Sequence, residues 1–257
     1  MPLWGIQKPP KKLIFYHNFW RVLDTIFPPH CAGCGTLGDR WCTDCASGIR
    51  KINTYTCPYC KRPIKDKHHC DGIKSLDFLR AFAYYAPPIS IAVQQLKYQR
   101  NIGMAEILAF YLLELYNTNK IDVDMVIPIP LSEKRHKSRG YNQVSLLARP
   151  FALAIRRPIY NQALTRIRDT RSQVGLNRQE RSSNVTGAFT ANPTIVAGKT
   201  ILLIDDVLTT GATMEASAHA LKIAGARGIM GLTLAQAIQT SNGYSDQLIN
   251  TASETNY

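Results

Sequence analysis

Two neighbouring carboxylates, Asp205 and Asp206, follow four apolar residues and precede Thr209, Thr210, Gly211, Ala212 and Thr213 in the segment ILLIDDVLTTGAT. A short continuous apolar run reads as a parallel strand covered on both faces. The Thr/Gly turn after it, leading into an apolar-periodic stretch, reads as a helix start. In open α/β sheets, ligands bind outside the carboxyl ends of the strands. Backbone N–H groups, hydroxyls and the helix dipole of such a turn suit a phosphate. Two carboxylates beside it accept hydrogen bonds from sugar hydroxyls and lower the cost of holding magnesium. The alternative is a plain strand end with a threonine cap, which gives the combined order of strand, acidic pair, turn and helix no use.

A second chemistry lies upstream. All seven cysteines fall between positions 31 and 70, six of them as Cys31/Cys34, Cys42/Cys45 and Cys57/Cys60. An odd number in tight pairs argues against a secreted disulfide framework and for metal binding. Cys31, Cys34, Cys42 and Cys45 have the types and spacing of a tetrahedral zinc site, with Gly35 permitting the tight turn. Four thiolates leave no open coordination position, so such a zinc would serve folding rather than catalysis. The alternative is a set of reduced, unligated thiols. Cys57 and Cys60 open a second set that only Cys70 continues. Its fourth ligand is His69 or His68, or is absent, which would leave Cys70 a free thiol.

The elements that must position these groups are read from pattern. The chain has 257 residues, 45% of them apolar and 19% charged, enough to bury a sizeable core and too apolar for a mainly disordered chain. No uninterrupted apolar stretch approaches the roughly 20 residues of a membrane span. Residues 1–12 carry prolines and lysines without an apolar run ending in small residues, so the expected location is cytoplasmic. Residues 1–20 read as a tail whose Phe15, Phe19 and Trp20 pack on the segment after it. Residues 21–75 form a cysteine module too poor in apolar periodicity to fold without a staple. Residues 76–239 alternate helix-like pieces (89–98, 104–116, 141–155, 211–224) with strand-like pieces (124–130, 200–204, 229–237). That alternation predicts an α/β domain with a mostly parallel sheet and flanking helices. Residues 240–257 read as a polar tail.

The formal charge is +13, and it is concentrated: twelve Lys and Arg face three acidic residues between positions 131 and 185. A bound phosphate group needs about two or three cations. The surplus suits a nucleic-acid backbone track, with Tyr98, Tyr141 and Tyr160 as stacking faces, or a plain solvated face. Arg166, Arg168 and Arg171 read as part of a loop able to close over phosphates. Lys97, at a helix end beside Tyr98, contacts a bound phosphate, supports a residue that does, or is simply exposed.

Residues 201–213 resemble the phosphoribosyl pyrophosphate (PRPP) motif of type I phosphoribosyltransferases. Further motifs narrow the resemblance to the ComF/GntX family: the Cys-x-x-Cys pairs after Phe27-Pro28-Pro29, then Leu96-Lys97-Tyr98, Ile127-Pro128-Ile129-Pro130 and Arg139-Gly140-Tyr141-Asn142-Gln143. Arg168-Asp169-Thr170, Gln173, Glu180-Arg181, Asn184 and Gly187-Ala188-Phe189 extend it. The resemblance implies a zinc-ribbon module joined to a phosphoribosyltransferase-like domain, and a link to natural transformation. It implies that Asp205 and Asp206 hold the ribose hydroxyls, with magnesium shared. It also implies that Thr209, Thr210, Gly211, Ala212 and Thr213 hold the 5′-phosphate. Pyrophosphate would lie near Pro130, Leu131 and Ser132, with Arg139 and Lys97 as further substrate contacts, and Asp205, Asp206 and Arg168 would be the catalytic groups. Ile73 stands where a last cysteine is expected, which places the second zinc in question. The resemblance leaves two readings. One is a magnesium-dependent phosphoribosyltransferase of unknown acceptor. The other is a non-catalytic single-stranded-DNA-binding or adaptor protein, working with a DNA-uptake helicase or single-strand-handling protein.

Overall fold

The computed structural model describes residues 6, 8–53, 55, 57, 60, 62, 73–168, 187–240 and 243–244. Its centre is a four-stranded parallel sheet built from β1 (Phe78–Tyr84), β2 (Met125–Pro128), β5 (Thr200–Leu208) and β6 (Gly228–Gln236). The order across the sheet is β1-β6-β5-β2. Because every strand runs the same way, all carboxyl ends share one edge, and the turns after β2 and β5 lie side by side there. Ile201–Ile204 are all fully buried, as a strand covered on both faces requires.

Two layers cover the sheet. On one face lie α3 (Ile89–Tyr98), α4 (Met104–Thr118) and α6 (Gln143–Ala154), whose apolar sides pack on Leu202, Ile204, Leu232 and Leu234. On the other lies α8 (Ala212–Ile223), which packs through Met214, Ala218 and Leu221 on Ile201, Leu203 and Ile229. That second layer also takes Tyr55, Cys57 and Ile73 from the cysteine-bearing segment. It includes a small antiparallel ribbon of β3 (Leu164–Arg166) and β4 (Phe189–Ala191) as well. Short helices α2 (Thr43–Ser47), α5 (Glu133–Arg139) and α7 (Pro193–Val196), and a two-residue pair β7 (Gln239–Thr240) with β8 (Gly243–Tyr244), complete the described elements.

Residues 11–20 are helical. Helix α1 spans Lys11–Ile26 and crosses the boundary expected at residue 20. Its inner side is fixed at three points: Leu13 is fully buried, His17 Nδ1 lies 2.8 Å from Glu106 Oε1, and Asp24 pairs with Arg40. Trp20 is partly buried under the Arg40 guanidinium, as expected of a packing residue, whereas Phe15 and Phe19 point to solvent. Pro10 occupies the N-cap and the first turn has no acidic residue, so the usual start signals are missing and tertiary contacts carry the helix.

Candidate functional site

Strand β5 runs on through both aspartates to Leu208. Side chains alternate along a strand, so Asp205 and Asp206 leave the sheet on opposite faces. Asp206 is buried and held from two helices: Lys97 Nζ of α3 lies 2.9 Å from Oδ1, and Gln143 Nε2 of α6 donates to Oδ2 at 2.7 Å. Arg139 donates to Gln143 Oε1 at 2.8 Å and stacks its guanidinium over Tyr98. Tyr141 Oη donates to the Leu96 carbonyl at 2.6 Å. Asn142 accepts from the Val144 N–H to cap α6 and donates to the Ile129 carbonyl. These bonds fix the start of α6 against the ends of β2 and α3, which delivers Gln143 to Asp206.

The charges match the packing. Burial disfavours the Asp206 carboxylate, but Lys97, Gln143 and Arg139 outweigh it and hold the group below the usual carboxylate range. Burial likewise disfavours the Lys97 ammonium, yet Asp206 keeps that side chain firmly protonated. Lys97 is therefore not the exposed lone lysine that its sequence context permits. Asp205 is the contrasting member. Burial and the neighbouring Asp206 charge push it up to about 7, against the pull of the Asp206 N–H, Lys97 and Arg135. It is partly exposed at the strand end, with Oδ1 accepting from the Asp206 N–H at 2.8 Å.

Beyond Asp206 the strand runs into the turn. Gly211 has φ +82° and caps α8, a conformation that side chains resist. Thr210 is buried and its hydroxyl accepts from the Ala212 N–H at 3.3 Å, so it shapes the turn. Thr209, Ala212 and Thr213 are partly exposed at the opening of the helix, where the dipole favours an anion. Pro130 and Leu131 lie at the adjacent end of β2, also partly exposed. Ser132 caps α5 by accepting from the Arg135 N–H. Arg168 is exposed just past β3. Arg171, Gln173, Glu180, Arg181 and Asn184 lie outside the described residues, as do Asp169 and Thr170.

Sequence reasoning gave Gln143 and Arg135 no role in the site. Gln143 was visible only as the last residue of the Arg139–Gln143 motif. Glu215 was not visible at all. It sits in the first turn of α8 and accepts from the Ser75 N–H at 3.0 Å, tying the segment after the cysteines to the turn. The basic stretch also divides. Arg135 and Arg139 sit at the carboxyl edge, while Arg157 pairs with Asp122 just before β2, at the opposite edge. Among the described residues the excess does not lie along one edge.

The four sulfurs of Cys31, Cys34, Cys42 and Cys45 lie within 4.8 Å of one another. Cys42 Sγ is 3.6 Å from both Cys31 and Cys34, close to the ~3.8 Å edge of a tetrahedron with sulfurs ~2.3 Å from its centre. Backbone N–H groups of Gly33 and Cys42 point at Cys31 Sγ at 3.4 Å, which favours thiolate. Burial and the neighbouring sulfurs push the Cys45 thiol up, a conflict that a divalent cation among them removes. The donor set fits zinc. A Cβ on Gly33 would stand 2.5 Å from Cys45 Sγ. Gly33→Ala is expected to bind much less than one zinc per chain by elemental analysis. Full zinc content in that variant would contradict the close approach.

Cys57 and Cys60 form a similar knuckle. The Cys57 N–H donates to the Arg62 carbonyl at 2.9 Å and the Cys60 N–H points at Cys57 Sγ at 3.4 Å. His69, His68 and Cys70 lie outside the described residues. Ile73 is buried beside Tyr55, Cys57 and Leu76, so it packs where a ligand was expected.

Known proteins place this architecture. Residues 22–74 match the double zinc ribbon domain, and residues 95–242 match the phosphoribosyl transferase domain. The chain is 32% identical over 190 residues to the DNA utilization protein YhgH of Escherichia coli O157:H7, covering 70% of this chain and 83% of that protein. It is 27% identical over 216 residues to competence protein F of Haemophilus influenzae, covering 80% and 90%. Competence protein ComFC of Bacillus subtilis is 27% identical over 216 residues, covering 79% and 82%. No described helix is long and apolar enough to cross a membrane. A zinc-ribbon segment and a phosphoribosyl transferase domain in this order, shared with these relatives, make the chain a member of the ComF/GntX family.

Proposed function

We propose that this chain binds PRPP or a related ribophosphate, with magnesium, at the carboxyl edge of its sheet, and that it acts in the handling of DNA taken up by the cell. The observation that carries the reading is the turn from Asp205 to Thr213, whose left-handed Gly211 opens α8 beside a partly exposed carboxylate. The α8 opening with Thr209 and Thr213 takes the 5′-phosphate, and Asp205 takes ribose hydroxyls. Asp206, already satisfied by Lys97 and Gln143, positions that edge of the site. Arg135 and Arg139 face the pyrophosphate end beside Pro130 and Leu131. Magnesium, held by one carboxylate and substrate oxygens, would offset the leaving pyrophosphate's charge. The DNA-handling role comes from the names of the relatives.

Thermal denaturation tests the turn. Magnesium with PRPP at about a hundred times its dissociation constant stabilises by roughly 2.7 kcal/mol, a rise of about 5–10 °C for a chain of this size. Gly211→Ala is expected to lose most of that rise for both PRPP and ribose 5-phosphate. An unchanged rise would remove the turn from the site.

A non-catalytic single-stranded-DNA reading is favoured by one feature. Helix α5 carries Lys134, Arg135, His136 and Lys137 exposed at the same edge; among the described residues Lys137 pairs with Glu133 there, and Arg135 acts on Asp205 through space. If DNA lies on α5, Lys134→Ala with Arg135→Ala lowers the log–log salt slope of oligonucleotide anisotropy by about 1.4. An unchanged slope would take α5 out of any DNA path.

A further inference from the structure

Helix α1 presents an apolar line to solvent. Phe15 (74% exposed), Phe19, Val22 and Ile26 (61%) recur at steps of four, three and four residues. That spacing is the seam of a helix packed along another helix rather than a scatter of surface side chains. No described residue covers it. Ile6, the described apolar residue before α1, packs against the core rather than on this line. Of the segments outside the described residues, 63–72, 169–186 and 245–257 hold only scattered aliphatic side chains (Ile64; Val174, Leu176 and Val185; Leu248 and Ile249), and none repeats the four-three-four spacing of this line.

The charges beside the line choose its occupant. Lys11 and Lys12 are exposed at the start of the helix, the last turn has no basic residue, and the only acidic side chain, Asp24, is taken by Arg40. Two copies side by side in parallel would bring their lysines together. Two copies antiparallel set each Lys11 and Lys12 against the uncompensated carboxyl end of the other helix, where a cation is stabilising. The same arrangement places Phe19 opposite Val22 and Phe15 opposite Ile26, so the line is complementary to itself about a two-fold axis.

We propose that α1 is a dimerisation helix whose partner is a second copy of this chain, packed antiparallel through Phe15, Phe19, Val22 and Ile26. The inner side of the helix is already locked to Glu106 and Arg40, so the outer seam is presented rigidly and little order is lost on pairing.

Sedimentation of the full, zinc-loaded chain tests this. The wild type is expected to be a dimer at micromolar concentration. Phe19→Glu and Val22→Lys each bury an unpaired charge in the seam and are expected to weaken self-association by roughly a hundredfold, with unchanged circular dichroism. Mixed together, the two variants are expected to form a one-to-one heterodimer. Antiparallel pairing sets the introduced carboxylate of one copy against the introduced ammonium of the other, and leaves Val22 of the first on Phe19 of the second. A wild type that stays monomeric to about 100 μM overturns the proposal, and binding of that monomer to anionic vesicles would reassign the face to a membrane surface. A dimer whose variants do not combine on mixing overturns the antiparallel register.

Discussion

Lys97→Met is expected to destabilise the protein by roughly 3 kcal/mol at pH 7, the usual cost of removing one partner from a buried ion pair. Methionine keeps the volume of the lysine stem, so the loss reports the charge rather than a cavity. Asp206 would keep Gln143 but lose its cation within the protein. The pH dependence fixes the assignment. In the wild type Asp206 is held below the ordinary carboxylate range, so its contribution is fully present above about pH 4 and fades as pH falls through the lowered value. The gap between wild type and Lys97→Met should therefore close in acid. Adding Asp206→Asn to Lys97→Met should recover more than half of the loss, because no buried charge is then left alone. Urea unfolding at pH 7 and pH 3 measures both effects. A variant within about 0.5 kcal/mol of wild type at pH 7 would mean that the pair is not buried.

Asp205→Asn is expected to act in the opposite sense, raising stability while removing function. Asp205 is pushed up to about 7, so between about pH 4 and 7 the unfolded chain gives up this proton while the folded chain keeps it. Stability falls across that window and stays low above it. Asparagine keeps an oxygen for the Asp206 N–H and carries no charge to desolvate. At pH 8 the variant should be more stable by roughly 2 kcal/mol, a melting rise of several degrees. At pH 4 the gain should vanish. Such a trade marks a residue kept for what it binds rather than for what it holds together. No gain at pH 8 would mean that Asp205 is not strained by its surroundings.

How much of this was visible in the sequence depended on range. The strand, turn and helix from Ile201 to Ile223 were legible because everything that shapes them is local: an apolar run, Thr210 capping its own turn, and Gly211 at positive φ. The four-cysteine cluster was legible for the same reason, since Cys31 to Cys45 supply all its sulfurs within one short segment. The Lys97–Asp206 pair was not. Its partners lie more than a hundred positions apart, and a lysine after an apolar helix face usually meets water. Gln143 was hidden likewise, its role created by the approach of α6 to the end of β5. Helix α1 was missed because Pro10 and an aromatic-rich first half give weak start signals, and its order comes from Glu106 and Arg40. The basic stretch was legible as composition but not as surface, because Arg156 and Arg157, just past the end of α6, lie away from the edge where Arg135 and Arg139 remain.

A ribophosphate site at the strand ends is the central claim, and Asp205→Asn is the variant that tests it most directly. Asp206→Asn would strip the partner from Lys97 and confuse lost binding with lost structure. Calorimetric titration of PRPP into the zinc-loaded wild type should show binding that requires magnesium and strengthens as pH rises through about 7, where Asp205 ionises. The folded Asp205→Asn protein should show at least a tenfold weaker response. Equal affinity in the two proteins, or no magnesium-dependent binding to the wild type, would contradict the site.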